Sequence, residues 1–174
     1  EHDYLIVDEA HELVDRATGV ATAELTSTGL GVAVRRGGKL IGPELSQRLE
    51  AASATFTSAI HDAAPGRLDF LDDELATYLT ALRDAAHDAR STINPSPGDP
   101  QAAAARNEAI TALAEIEDTA ARILGSFAPP IADRTEVTWT IPARVPGTPP
   151  PALRVAPMPG AALLRADRSA RPRT

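Results

Sequence analysis

Between residues 68 and 93 apolar side chains recur every three or four positions, at Leu68, Leu71, Leu75, Tyr78, Leu82, Ala85, Ala89 and Ile93. At 3.6 residues per turn such positions fall into one stripe, so the stretch predicts an amphipathic α-helix. A stripe this long must be buried, and the chain supplies matching stripes for it. Over residues 43–64 the positions Leu45, Leu49, Ala52, Phe56 and Ile60 step in the same way, and Pro43 suits the first helical turn. A third stripe runs to about Phe127 through Ile110, Leu113, Ile116, Ala120, Ile123 and Leu124; Asp99 can cap it, with Pro100 at its first position. Pro65-Gly66 separates the earlier two stripes, and the proline-rich turn over residues 94–100 separates the later two. Short connections between striped helices predict an antiparallel pair or a small bundle. Residues 26–38, with an apolar patch at 30–34 between glycines, are left unassigned.

The composition says how that bundle is built. The chain is 43% apolar but only 3% aromatic, so its core must come from Leu, Ile, Val and Ala. The alanine excess favours helices. There is no cysteine, which removes a disulfide framework and a thiolate metal site within these 174 residues. No apolar run approaches the roughly 18 residues needed to cross a bilayer, and no signal peptide is visible, so a soluble cytoplasmic protein without membrane contact is expected. A net charge of −7 argues against a self-sufficient basic nucleic-acid-binding module. It leaves open an enzyme whose basic groove lies elsewhere.

The flanks read differently. The chain starts at Glu1 and passes almost at once into Tyr4-Leu5-Ile6-Val7, a strand of the type buried on both faces in parallel sheets. A chain cut inside a domain is the expectation. Over residues 12–24, Leu13, Ala17, Val20 and Ala21 recur at helical spacing. Residues 136–141 alternate, with Val137, Trp139 and Ile141 on one side, and predict a strand on which Trp139 is a packing residue, with base stacking as its alternative. Leu153-Arg154-Val155-Ala156 predicts another strand, residues 161–164 open a helix, and the arginine-rich residues 165–174 form a frayed tail. Two layouts fit: helices inserted between strands of one sheet, or an independent helical domain with ragged ends.

Asp8-Glu9-Ala10-His11 follows directly on the first strand. Ligands of open α/β sheets sit at the carboxyl ends of the strands. Two adjacent carboxylates there need a cation, and magnesium-nucleotide suits them. Asp8 can hold Mg2+ through water, Glu9 can polarise an attacking water, and His11 can couple the nucleotide to neighbouring elements. The competing reading is a solvated acidic turn capping the next helix. A zinc-protease helix fails on spacing, because Asp15 stands where the second histidine belongs. No phosphate loop of the G-x-x-x-x-G-K-[ST] type occurs, and Gly37-Gly38-Lys39 reads as a turn between helices, so these residues alone should not hold ATP tightly. His2, His61 and His87 read as surface residues without a partner cluster. Asp69, Asp72, Asp73 and Glu74 read as an acidic helix start. Arg35, Arg36 and Lys39 form the local basic cluster and are candidates for phosphate contacts.

The run Tyr4-Leu5-Ile6-Val7-Asp8-Glu9-Ala10-His11-Glu12-Leu13 resembles helicase motif II of superfamily 2. With Asp15-Arg16-Ala17-Thr18, Val20-Ala21-Thr22-Ala23-Glu24-Leu25 and the helical block behind it, the chain resembles the DinG-type helicases, relatives of the XPD helicases. Val137-Thr138-Trp139, Leu153-Arg154-Val155-Ala156-Pro157 and Leu163-Leu164-Arg165 resemble the return into a first motor domain. The resemblance implies a mainly α chain, a helical arch-like insertion flanked by strands of an incomplete α/β (RecA-like) motor domain. Residues 1–25 would belong to the motor, 26–134 to the insertion and 135–174 to the return. It implies ATP and Mg2+ as cofactors, single-stranded DNA as partner, and a parent enzyme working 5′ to 3′ in DNA repair or replication, the fragment alone being inactive. Asp8 and Glu9 would serve magnesium and water, His11 would link hydrolysis to DNA movement, and the arch would help enclose the strand. Some relatives carry an iron–sulfur cluster on cysteines upstream of motif II, so the lack of cysteine has no bearing on it. The tail 165–174 departs from the family. Outside the resemblance, a small helical interaction or scaffold protein without catalytic activity is the other reading.

Overall fold

A computed structural model describes residues 21–93, 100–141 and 150–158 of the chain. Along these run β1 (Ala23–Thr26), α1 (Ser27–Gly38), α2 (Pro43–Asp62), β2 (Gly66–Arg67), α3 (Asp73–Thr92), α4 (Pro100–Ser126), a 3-10 turn at Ile131–Asp133, β3 (Glu136–Ile141) and β4 (Ala152–Pro157). The described part is mainly α, with one small antiparallel sheet, as the stripes and the flanking alternation predict.

Each predicted stripe becomes a helix, and the deviations have local causes. The helix of the 68–93 stripe starts only at Asp73, because the Asp72 carboxylate accepts the Leu75 N–H at 2.7 Å and caps the helix there. Leu68 is held before the helix, where its N–H reaches the Thr138 carbonyl at 2.9 Å. The unassigned stretch 26–38 forms α1 despite four glycines, since Thr26 Oγ1 caps it on Gly29 N at 2.9 Å and Leu30 and Ala33 are buried. Gly37 has a packing reason: a Cβ there would lie 3.2 Å from the Leu113 side chain, so α1 and α4 approach closely. Gly37 and Gly38 are the last residues of α1, so the turn expected over Gly37-Gly38-Lys39 begins only at Lys39.

The four helices pack in a ring, each against its neighbours in sequence and α4 back against α1. Arg48 near the start of α2 meets Asp88 near the end of α3 at 2.7 Å, and Arg36 at the end of α1 meets Glu108 near the start of α4 at 3.4 Å, so these pairs run antiparallel. Phe56, Leu49, Ile60, Leu79, Leu82, Leu113 and Ile123 are fully buried between them. The core is thus aliphatic with a single large ring, as the shortage of aromatics requires.

The sheet lies against the bundle in the order β1-β4-β3-β2. Residues 23–26 pair with 152–155, so strands from before and after the helical block share one sheet. The helical reading of residues 12–24 therefore fails at its end: Ala23 and Glu24 are in β1, held by a strand far along the chain that no local pattern reveals. β3 forms over Glu136–Ile141, the strand that the alternation predicts. Val137, Trp139 and Ile141 do share a side, but it is not the side packed on the helices. Thr138 and Thr140 face the bundle at 2% and 3% exposure, in register with Val155 and Leu153, while the three apolar residues are only half-buried. An alternating pattern separates two faces without saying which one meets the core. The inward hydroxyls are satisfied: Thr138 shares a hydrogen bond with Ser126 Oγ at 3.2 Å, and Thr140 donates to the Ala64 carbonyl at 2.5 Å. The Tyr4–Val7 strand, the 94–99 turn, the 161–164 helix and the tail lie outside the described residues.

The cap at Asp72 makes a measurable contribution. Asp72→Ala should lower the unfolding free energy by about 1 kcal/mol in urea titrations, whereas Asp73→Ala, one residue further on, should change it by about 0.5 kcal/mol or less.

Candidate functional site

The residues with the sharpest chemical pattern, Asp8, Glu9, Ala10 and His11, lie outside the described residues. The structure does describe how the chain arrives from them. The carbonyl of Ala21 accepts from Arg122 Nη1 at 2.9 Å, and Nε of the same guanidinium meets the Glu136 carboxylate at 2.7 Å. One side chain on α4 therefore joins the backbone just ahead of β1 to the first residue of β3. Arg122 and Glu136 are both partly shielded, at 30% and 24% side-chain exposure, which strengthens the contact over a surface pair. Nothing in the sequence pairs Arg122 with residues so distant along the chain.

Arg35, Arg36 and Lys39 come together at the end of α1 and all are exposed. Cations in the last turn of a helix also meet its negative dipole end, so part of their placement is explained without a ligand. Arg36 is offset by Glu108. Arg35 and Lys39 form no ion pair among the described residues. Arg106, missed by the sequence reading, lies on α4 two residues before Glu108 and brings a further guanidinium to that end of the bundle. Its Nη1 is the buried side-chain atom without a hydrogen-bond partner among the described residues.

His87 lies at the surface, as expected, but it is not without partners. Its Nδ1 hydrogen-bonds Glu117 Oε1 at 2.9 Å, and Arg90 Nε donates to Oε2 of the same carboxylate at 2.9 Å. Two residues one turn apart on α3 thus grip a single acid on α4. His87 and Arg90 are visible in the sequence as neighbours on one helix face; their shared acid, on another helix, is not. His61 is exposed and meets Asp62 at 3.1 Å. The acidic helix start is accounted for by the Asp72 cap and an Arg67–Asp69 pair at 3.0 Å.

Among the described residues no group of three or more His, Asp or Glu side chains is arranged to hold a metal ion. No described helix is long and apolar enough to cross a membrane. A shallow groove of about 810 Å³ between α2 and α3 is lined mainly by small alanines and threonines and holds no converging acid–base pair. Phe70 and Ile131 are exposed large hydrophobics, on the two segments that Arg134 ties together through the carbonyls of Asp69 and Pro129.

Comparison with known proteins gives one consistent result. The chain is 56% identical over 139 residues, 80% of its length, to proteins named ATP-dependent helicase DinG from Mycobacterium tuberculosis (strain ATCC 25177 / H37Ra) and from Mycobacterium bovis (strain ATCC BAA-935 / AF2122/97). It spans only 21% of the length of these relatives. No family model matches the chain. No solved structure matches it either.

The acid shared by α3 and α4 has a pH signature. Burial alone would raise the Glu117 carboxyl, but the hydrogen bonds from His87 and Arg90 outweigh it and hold the group below the ordinary glutamate range. A carboxylate lowered in the fold stabilises it above its unfolded pKa, and that contribution is lost as pH falls through the folded value. Glu117→Gln should therefore reduce stability by about 1 kcal/mol at pH 7. The gap from the parent chain should close as urea unfolding is repeated at pH values falling through and below the glutamate range.

Proposed function

Since the chain matches a segment of the DinG-type helicases, we propose that it belongs to an ATP-driven DNA helicase and carries the hydrolytic Asp8-Glu9-Ala10-His11 element together with the helical insertion behind it. The match over four-fifths of the chain is the observation that carries this reading, and the apolar run leading into the two acids supports it. Asp8 and Glu9 offer hard carboxylate oxygens, the donor set that suits magnesium. When bound, the ion neutralises the phosphate charge of the nucleotide. Asp8 would hold it, Glu9 would polarise the attacking water, and His11 would transmit the nucleotide state to neighbouring elements. The phosphate cradle belongs to a part of the parent outside these residues, so this chain alone does not turn over ATP.

In the parent, hydrolysis drives 5′-to-3′ movement along single-stranded DNA in repair, and the cytoplasm is its compartment. The bundle helps enclose the strand. Its phosphate-contacting residues are Arg35 and Lys39, exposed and outside any ion pair among the described residues, with Arg36 contributing less because Glu108 offsets it. Arg122 keeps the insertion fixed to the segment that leaves the hydrolytic element.

Two experiments on the full-length parent test this. Glu9→Gln should abolish ATP turnover while leaving ATP binding intact; DNA-stimulated hydrolysis that survives the change removes Glu9 from the role. Replacing Arg35 and Lys39 together by alanine should weaken single-stranded DNA binding and reduce the slope of log affinity against log salt by about 1.4, or about 0.7 per lost phosphate contact. An unchanged slope removes both residues from the DNA path.

A further inference from the structure

We propose that Arg106 is the anchor for a phosphate oxyanion, supplied in the parent by the backbone of single-stranded DNA. Arg106, Ala109 and Leu113 are spaced three and four residues apart, so they lie along one face of α4. That face packs inward: Ala109 and Leu113 are fully buried, and Leu113 meets α1 at Gly37. An apolar residue at 106 would continue the stripe. A guanidinium stands there instead, and its Nη1 is buried with no hydrogen-bond partner among the described residues. Arginine side chains keep their charge where a buried lysine can shed a proton, so only an acceptor satisfies them. A buried charge without one destabilises the fold that holds it. Unsatisfied buried donors are rare in folded chains, and a ligand that completes them is one of the few reasons to keep them.

The surroundings say which ligand. Arg36 meets Glu108, two residues from Arg106, at 3.4 Å, which brings the end of α1 and this part of α4 to one end of the bundle. Arg35 and Lys39 are exposed there and form no ion pair among the described residues. Glu108 and Glu44, the latter in the first turn of α2, only partly offset these four cations. A guanidinium fork matches two oxygens of a phosphate or of a carboxylate. A lone carboxylate leaves Arg35 and Lys39 without a role, whereas successive phosphates of one strand engage all three. Arg106 as a whole is only partly buried, so its long stem can turn to bring the fork to the strand. Its missing acceptor is then supplied only in the bound state, which widens the gap in free energy between free and bound protein. The source of the phosphate rests on the single-strand reading above; the unsatisfied guanidinium does not.

The test uses Arg106→Met, which keeps the stem and removes the charge, and Arg106→Lys, which keeps a charge and removes the fork. Urea midpoints of the 174-residue chain are measured in chloride and in inorganic phosphate of equal ionic strength. Binding of fluorescent oligothymidylate to the full-length parent is measured by anisotropy across a salt series. Arg106→Met should raise the midpoint in chloride and lose the extra protection that phosphate gives the unmodified chain. In the parent it should weaken oligothymidylate binding by about tenfold and reduce the salt slope by about 0.7. Arg106→Lys should weaken binding by a smaller factor and keep the slope. A lower midpoint for Arg106→Met in chloride makes Arg106 a structural residue and overturns the proposal. Unchanged phosphate protection together with unchanged DNA affinity overturns it as well. Phosphate protection that depends on Arg106, with DNA affinity unchanged, keeps the oxyanion site and removes the strand as its source, which separates failure of the single-strand reading from failure of the site.

Discussion

The fold depends on the ladder between β1 and β4. Glu24 and Arg154, opposite each other in it, are 130 residues apart. Closing a flexible loop of that length costs about 4 kcal/mol in chain entropy. Four short-strand residues cannot offset that from an unstructured chain. The helical ring between them changes the problem, because each helix packs on its sequence neighbour and α4 returns to α1. Once the ring has formed, the two strands are already near each other and the ladder has little distance left to close. Arg122 then joins the entry to β1, through Ala21, with the start of β3, through Glu136.

The core divides into two kinds of chemistry. Inside the ring it is leucine, isoleucine, alanine and Phe56, held by shape and by loss of water. Under the sheet Leu25, Leu153 and Val155 continue it, but beneath β3 it turns polar. Ser126, Thr138 and Thr140 are all buried, and each hydroxyl has a specific acceptor or donor. Such contacts fix register more strictly than apolar packing does, because a slip of one residue would bury a hydroxyl without its partner. The helices are specified by area and the sheet by pairing.

That difference explains what was legible in the sequence. The stripes gave α2, α3 and α4 to within a few residues, because helix periodicity is local, and the alternation gave the limits of β3. The start of α3 was misplaced because Leu68 and Leu71 continue the stripe while the Asp72 cap interrupts the backbone. β1 and the Glu117 cluster were not legible, since each depends on residues from distant parts of the chain. The facing of β3 was not legible for another reason: threonine looks like a solvent residue until Ser126 and the Ala64 carbonyl are placed beside it. Of the candidate site, the basic group at the end of α1 lies within the described fold, Arg106 was found only there, and the acids Asp8 and Glu9 stand outside it.

The pairing of Ala23 with Val155 has an evolutionary corollary. Opposed residues of an antiparallel ladder stand about 5 Å apart. To whatever polypeptide flanks it, the whole helical excursion is therefore the equivalent of a hairpin turn. It can be lengthened, shortened or exchanged for another module without moving the anchorage, provided the replacement brings its ends back to the same spacing.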